Sequence, residues 1–218
     1  MEIDLSRRIL ARNEQLATSN RDRMKAAGVF VLDVLASPGA GKTETILATI
    51  GVLRDSLRIA VVEGDIASKV DAEKVKAHGI PAVQINTGGA CHLEADMVSR
   101  AFDALPLEDL DLIILENVGN LVCPTEFDLG QNARIVILSV PEGDDKPLKY
   151  PGIFAQADAV LLNKIDTMHV FDFDEAEFVD GVRHLNGLAP IFRMSAKTGE
   201  GVAEWAEWLS ARVRDANA

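Results

Sequence analysis

The segment ASPGAGKTETI, residues 36–46, has the residue types of a phosphate-binding loop. Such loops bind nucleotides because their backbone N–H groups and the start of the following helix point at phosphate oxygens. Lys42 would reach the β- and γ-phosphates, and Thr43 would ligate Mg²⁺ through its hydroxyl group. The residues that we expect around the phosphates are Gly39, Ala40, Gly41, Lys42, Thr43 and Glu44.

The loop departs from the usual pattern G-x-x-x-x-G-K-[ST] at its first position, where this chain has Ala36. Glycine at that position mainly serves the backbone conformation, and alanine costs little if its φ angle stays negative. An ordinary strand–turn–helix connection is the alternative interpretation of the segment. The sequence G-K-T directly after a dense apolar run favours the nucleotide site.

Two later motifs predict which base the nucleotide carries. In N-K-I-D, residues 163–166, the aspartate can accept hydrogen bonds from N1–H and the N2 amino group of guanine. Adenine lacks this pair of donors, so unpaired polar groups discriminate against it. We expect Asn163 to support the Hoogsteen edge of the base, Lys164 to lie over its ring, and S-A-K, residues 195–197, to close over it. The predicted nucleotide is GTP, bound by Asn163, Lys164, Asp166, Ser195, Ala196 and Lys197.

The residues that would hold Mg²⁺ and assist hydrolysis are less regular. Glu116 lies in the segment ENVG, where many GTPases have D-x-x-G, and its carboxylate can still lie near Mg²⁺. Asp65 is a second candidate, although capping of a helix ahead of Val70 explains it equally well. We see no glutamine or arginine suited to orienting the attacking water, so we expect slow intrinsic hydrolysis. The predicted catalytic residues are Lys42, Thr43, Asp65 and Glu116, of which the last three would bind Mg²⁺.

Two cysteines and a histidine form a second group of residues, which are candidate metal ligands. Cys91-His92 follows the segment NTGG, and Cys123 follows the apolar run that ends at Glu116. Loops after parallel strands gather at one edge of a sheet, so these residues would lie beside the nucleotide. Thiolates and imidazole are good ligands for Zn²⁺ or Ni²⁺. Isolated cysteines are more often small buried hydrophobes, however, so spacing alone favours that second interpretation.

Elements that alternate between strand and helix must position all of these residues. Strands alternating with helices predict βαβ units, and therefore a mostly parallel central sheet flanked by helices. We expect an α/β P-loop NTPase fold in which residues 28–218 form one GTPase domain and residues 1–27 an N-terminal helical extension. The predicted strands are 29–35, 59–62, 81–85, 112–115, 135–140, 159–162 and 191–194. The predicted helices after the extension are 42–53, 70–78, 94–104 and 201–212, with a further helical stretch that contains His184 before Pro190.

The composition limits the partners and the compartment. The chain has 22 basic and 34 acidic residues, and its net charge of −12 argues against nucleic acid and against an anionic membrane surface. No apolar run approaches the roughly 20 residues that span a bilayer. The first residues, MEIDLSRRILARNEQ, lack the apolar core of a secretory signal. We therefore expect a cytoplasmic protein whose cysteines are thiols or metal ligands rather than a disulfide.

From Val29 to the C-terminal helix, the sequence resembles the HypB family of nickel-incorporation GTPases of [NiFe]-hydrogenase maturation. The resemblance rests on SPGAGKT, EGDIASKVDAEK, QINTGGACHLEADMV, ENVGNLVCP, LLNKID and SAKTGEG. It implies that Cys91, His92 and Cys123 bind Ni²⁺ or Zn²⁺ and that GTP promotes a homodimer. It also implies partners among the hydrogenase large-subunit precursor and the other maturation proteins.

Three protein ligands leave a four-coordinate metal one ligand short, so water or a second copy of the chain would complete the site. The apolar segment 168–171 is a candidate part of a dimer interface, and a hydrophobic staple at the next helix is the alternative. Three other functions stay open. One is a urease-type nickel GTPase, although ENVGNLVCP does not end in Cys-Pro-His, and another is a zinc-binding regulatory or storage module with a nucleotide switch. The third is a GTPase chaperone for a cobalamin enzyme, which would not need Cys91 and Cys123.

Overall fold

The computed structural model describes the backbone of residues 5–64 and 79–216, with side chains from Ile9 onward. Its strands are β1 (Phe30–Ala36), β2 (Ile59–Glu63), β3 (Ala82–Gln84), β4 (Leu112–Glu116), β5 (Ala133–Ser139), β6 (Ala159–Asn163) and β7 (Ile191–Arg193). They form one sheet in the order β3-β2-β4-β1-β5-β6-β7. Every neighbouring pair is parallel, which confirms the predicted α/β P-loop architecture.

The helices connect and cover the strands. They are α1 (Leu5–Ala27), α2 (Lys42–Leu53), α3 (Ala95–Asp103), α4 (Lys146–Lys149), α5 (Pro151–Ala155), α6 (Glu175–Leu185) and α7 (Val202–Ala216). The predicted helix at 70–78 lies outside the described residues. The short helices α4 and α5, between β5 and β6, were not predicted. Each begins near a proline, which a first helical turn tolerates, but each is too short to display a helical period.

The central strands are buried on both faces of the sheet. All residues of β1, β2, β4, β5 and β6 are buried. Strands covered on both sides need apolar residues at nearly every position, which explains their continuous apolar runs. This burial also fixes the carboxyl ends of β1, β4 and β6 as a rigid edge from which functional loops start.

Three apolar clusters join the helices to the sheet. One face packs on α2 and α7, where Trp205 donates its indole N–H to the hydroxyl of Thr49 at 2.9 Å. The opposite face carries two clusters, one containing Met24 of α1 and Phe102 of α3, and the other containing Phe178 of α6. None of the described helices is both long enough and apolar enough to span a bilayer.

The N-terminal helix α1 is tied into the rest of the fold by two buried asparagines. Asn13 donates to the carbonyl of Asp128 at 2.7 Å and accepts from the N–H of Ala95 at 2.8 Å. Asn20 donates to the carbonyls of Ala95 and Leu129 at 2.9 and 3.1 Å. Helix α1 therefore holds the start of α3 against the loop that leads into β5.

Candidate nucleotide and metal sites

The phosphate-binding loop joins the end of β1 to the start of α2. Ala36 is the last residue of β1 and is fully buried. Its φ angle is not positive, because Lys164 is the only non-glycine residue with a positive φ among residues 5–64 and 79–216. The turn is instead made by Gly39 and Gly41, whose φ angles are 80° and 95°. The backbone condition under which alanine costs little at the first position is therefore met.

Asn163, at the end of β6, connects the phosphate loop to the S-A-K segment. Its side-chain amide donates to the carbonyl of Ala40 at 3.0 Å and accepts from the N–H of Ala196 at 3.1 Å. A Cβ at Gly41 would lie 2.7 Å from the amide nitrogen of Asn163, so only glycine allows this approach. The three predicted nucleotide motifs therefore form one hydrogen-bonded unit.

A cavity of about 500 Å³ lies between these motifs. Ser195 donates its hydroxyl hydrogen bond to Oδ1 of Asp166 at 2.7 Å, which orients the carboxylate at the cavity. Lys164 has a left-handed backbone, with φ of 60°, and its Nζ donates to the carbonyl of Gly39 at 2.6 Å. The cavity is lined by Gly41, Glu44, Asn163, Lys164, Asp166, Thr167, Ala196 and Lys197.

The candidate Mg²⁺ residues meet where the loop faces the end of β4. The hydroxyl of Thr43 donates to Oε1 of Glu116 at 2.8 Å, and Glu116 is 1% exposed. Lys42 is also buried, and a Cβ at Gly119 would lie 3.3 Å from its Nζ. The segment after β4 thus comes close to the lysine of the loop. Asp65 lies outside the described residues.

Glu142 supports the phosphate loop from the end of β5, and its role was missed from sequence. One carboxylate oxygen accepts a hydrogen bond from the hydroxyl of Ser37 in the loop. The other accepts from the N–H and hydroxyl of Ser139 at 2.8 and 2.6 Å. A glutamate three residues after a serine at a strand end is a capping-box signal that could have revealed it.

The two thiols lie next to each other at the same edge of the sheet. Cys91 is in the loop before α3, and Cys123 begins the short 3₁₀ turn Cys123–Glu126 after β4. The neighbouring Cys123 thiol raises the pKa of the exposed Cys91 thiol. The amide of Asn120 donates to the carbonyl of Cys91 at 3.1 Å and so joins the two loops directly. The structure therefore brings the two predicted cysteine ligands together.

His92 is held against both loops. Its Nδ1 lies 3.5 Å from Sγ of Cys91, and its ring stacks on Phe127 with centroids 3.8 Å apart. Burial lowers the pKa of His92, opposed by Glu94 and Glu126, so the neutral imidazole that can ligate a metal is favoured. Across the described part of the chain, no three His, Cys, Asp or Glu side chains are arranged to hold a metal ion. Cys91, His92 and Cys123 are adjacent, but a metal would have to draw them together.

A buried polar network behind the thiols was also missed from sequence. Asp33 of β1 and Arg134 of β5 are directly paired across the sheet and form an ion pair of 3.1 Å. Asn117, the residue after β4, donates to Asp33 at 2.9 Å. Burial raises the pKa of Asp33, and Arg134 and Asn117 oppose that shift. A lone aspartate in the apolar run FVLDVLA was the sequence signal for this network.

All of these groups surround the carboxyl ends of parallel strands, the edge where α/β proteins bind nucleotides. With a glycine loop that leads into α2 at that edge, the chain is a P-loop nucleotide-binding protein.

Comparison with known proteins gives the family. The family model "CobW/HypB/UreG, nucleotide-binding domain" matches residues 30–193. Hydrogenase maturation factor HypB from Azotobacter chroococcum is 46% identical over 207 residues, which is 95% of this chain and 68% of the relative. Hydrogenase/urease maturation factor HypB from Helicobacter pylori is 42% identical over 98% of this chain and 89% of the relative. The chain belongs to the HypB family, as its sequence resemblance predicted.

A solved structure supports the same assignment. The crystal structure of HypB from Helicobacter pylori in complex with nickel matches with a TM-score of 0.89 and 42% identity. The match covers 94% of this chain and 96% of that chain. The fold is therefore shared with this relative over 94% of this chain.

Proposed function

We propose that this chain binds and slowly hydrolyses GTP. In this proposal Lys42 neutralises the β- and γ-phosphates, while Thr43, Glu116 and Asp65 hold Mg²⁺. The hydroxyl of Thr43 and the carboxylate of Glu116 lie 2.8 Å apart. Both are hard oxygen donors of the kind that Mg²⁺ prefers. Bound Mg²⁺ would supply neutralisation of charge on the phosphate oxygens. The chain itself supplies orientation, through the turn at Gly39 and Gly41.

We propose that Asp166 selects guanine. Its carboxylate, oriented by Ser195, would accept hydrogen bonds from the base, and Ala196 and Lys197 also line the cavity. The aliphatic part of Lys164 would cover the ring. In this arrangement Asn163 acts mainly by joining the phosphate loop to the base-binding loops, since both ends of its amide are bonded within the protein.

We propose that the cargo of the GTPase is Ni²⁺ or Zn²⁺, bound by Cys91, His92 and Cys123. The observation that carries this metal proposal is the hydrogen bond of 3.1 Å from the amide of Asn120 to the carbonyl of Cys91, which joins the two cysteine-bearing loops at the nucleotide edge of the sheet. Soft thiolates and neutral imidazole suit these ions rather than Mg²⁺. A relative at 42% identity has been solved in complex with nickel, which supports nickel as the first choice.

The proposed destination of the nickel is the large-subunit precursor of a [NiFe]-hydrogenase in the cytoplasm, reached together with other maturation proteins. The names of the relatives support this destination. We further propose that residues 28–218 form the GTPase domain and residues 1–27 its N-terminal helical extension. GTP would promote a homodimer through segment 168–171, in which Val170 and Phe171 are 66% and 43% exposed.

Nickel transfer tests this function directly. The nickel-loaded chain is mixed with metal-free hydrogenase precursor, and nickel in the re-isolated precursor is measured by mass spectrometry. We expect transfer with GTP and Mg²⁺, and a matched reaction with Cys123→Ser should transfer none. Equal transfer by both proteins would contradict the proposal.

Light scattering with GDP and with a non-hydrolysable GTP analogue tests the dimer, which we expect only with the analogue.

Urease is a second candidate destination for the nickel, and one specific observation supports it. The relative from Helicobacter pylori is named a hydrogenase/urease maturation factor. Repeating the transfer assay with metal-free urease distinguishes the two destinations. Nickel delivery to urease alone would replace the hydrogenase assignment, and delivery to both would extend it.

A further inference from the structure

The ion pair of Asp33 and Arg134 is buried on the sheet face that carries two apolar clusters, and it lies at the boundary between them. Asp33 is fully buried and Arg134 is 6% exposed. The neighbours of Asp33 on the same face of β1, Val31 and Leu35, belong to separate clusters. Removing two charges from water is costly, and such pairs contribute little net stability compared with apolar residues of similar size. The position of this pair therefore calls for an explanation other than stability.

The arginine end of the pair holds the segment that follows Cys123. Nη2 of Arg134 donates to the carbonyl of Phe127 at 2.8 Å, and Nη1 lies 3.5 Å from the carbonyl of Thr125. Phe127 in turn carries the stacked ring of His92. The guanidinium thus fixes the backbone on one side of the thiol pair, and through Phe127 it also supports the imidazole.

The aspartate end holds the segment that contains Cys91. Asn117 donates to Oδ1 of Asp33, and its own Oδ1 accepts from the N–H of Leu93 at 3.3 Å. Leu93 directly follows His92 and is fully buried. Since Asn117 also directly follows Glu116, the same residue joins the candidate Mg²⁺ carboxylate to the loop of Cys91 and His92.

From these contacts we infer that Asp33, Arg134 and Asn117 are positioning residues that hold the two cysteine-bearing loops at the separation needed to bind a divalent transition metal. This inference rests on the proposed metal function of Cys91, His92 and Cys123. The three positioning residues do not touch the metal themselves. They act on its ligands through backbone groups, as outer-shell partners do in other metal sites.

The test replaces the ion pair by an apolar pair of similar size, Asp33→Leu with Arg134→Met. An ion pair with only a structural role can be replaced in this way with equal or higher stability. A positioning role would be lost, and we expect nickel affinity to fall by about 10- to 100-fold. The carbonyl of Phe127 and the amide of Asn117 lose partners in this variant, so its melting transition is measured in parallel to establish that it is folded. Asn117→Ala, which leaves the ion pair in place, should lower nickel affinity in the same direction.

The separation of the two thiols can also be compared between the native chain and the variants without any metal. The chain has two cysteines, so a fluorogenic reagent that bridges two thiols, such as dibromobimane, reports their proximity. Bridging of Cys91 to Cys123 should be several-fold slower in both variants than in the native chain. The control is Arg58→Gln with Asp111→Asn, which removes an exposed ion pair of 2.7 Å at the opposite edge of the sheet and should change neither readout.

The outcomes separate this inference from the proposed function. Native-like nickel affinity and bridging rate in the apolar-pair variant and in Asn117→Ala would overturn the positioning inference and leave the metal function intact. If the native chain binds no nickel, or binds it equally well after Cys91→Ser and Cys123→Ser, the metal function fails and the inference fails with it.

Discussion

Ser195 holds the carboxylate of Asp166 through a hydrogen bond of 2.7 Å between side chains 29 positions apart. Ser195 is fully buried, and its hydroxyl oxygen also accepts from the N–H of Thr198 at 3.2 Å. The S-A-K segment therefore fixes the aspartate before any base arrives. A pre-organised acceptor of this kind favours a partner with two matching donors, as guanine has.

Asp166→Asn should change the preferred base. The substitution places a donor where guanine also has donors, so we expect GTP affinity to fall by at least about 10²-fold. Xanthosine triphosphate, which has a carbonyl in place of the amino group, should gain affinity. Titration with fluorescent analogues of both nucleotides measures the change. Ser195→Ala is the matched control, because it should weaken GTP binding without changing the preference. Equal affinity of the native chain for ATP and GTP would contradict guanine selection.

Glu116→Gln should weaken the response to Mg²⁺. The amide can still accept the hydrogen bond from Thr43, but the negative charge near the metal is lost. The Mg²⁺ concentration that gives half-maximal GTP hydrolysis should rise by about tenfold or more. Phosphate release over a Mg²⁺ titration measures this, and GDP affinity without Mg²⁺ serves as the internal control. An unchanged Mg²⁺ dependence would remove Glu116 from the proposed site.

Nickel affinity should depend on pH through the thiols. A thiol must lose its proton before it ligates a metal, and the neighbouring Cys123 thiol raises the pKa of Cys91. Protons therefore compete with nickel throughout the neutral range, and affinity should rise by about tenfold per pH unit for each proton displaced. Competition with a chelator between pH 6 and about 8 measures the slope. A pH-independent affinity that survives Cys91→Ser would place the metal elsewhere.

Gly130→Ala should destabilise the contact of α1 with the loop before β5. Gly130 has φ of 87°, and a Cβ there would lie 2.5 Å from the carbonyl oxygen of Ala17. We expect the free energy of unfolding to fall by about 3 kcal/mol, from left-handed strain and overpacking together. Gly28→Ala is the matched control, with φ of 68° and open space around its Cβ, and should cost about 1 kcal/mol. Equal losses in urea unfolding would contradict the tight contact.

Much of the fold followed from the sequence because the central strands are covered on both faces. The continuous apolar runs of these strands, and the motifs that follow the runs, predicted the order of the elements. They also predicted that the motifs meet at one edge of the sheet. Ala36 was predicted correctly because the turn needs positive φ only at the later glycines. The base and phosphate motifs were found because their chemistry demands particular residue types at fixed spacing.

The missed residues act through contacts that spacing does not reveal. Asp33 and Arg134 are 101 positions apart in the chain, and only the pairing of β1 with β5 brings them together. Asp33 was overlooked within the predicted apolar strand 29–35, and Arg134 lay just before the predicted strand 135–140, although the observed strand begins at Ala133. Helices α4 and α5 were missed because helices of four and five residues carry no readable period.

Because Asn117 directly follows Glu116 and accepts a hydrogen bond from the loop of Cys91 and His92, we propose that the nucleotide controls the affinity of the metal site. The most direct test of this central claim is the nickel affinity of the native chain with Mg²⁺ and GDP, compared with Mg²⁺ and a non-hydrolysable GTP analogue. We expect the two affinities to differ by about 5-fold or more, and nickel must change the affinity ratio of the two nucleotides by the same factor. Identical nickel affinities in both nucleotide states, with nucleotide saturating, would contradict the account.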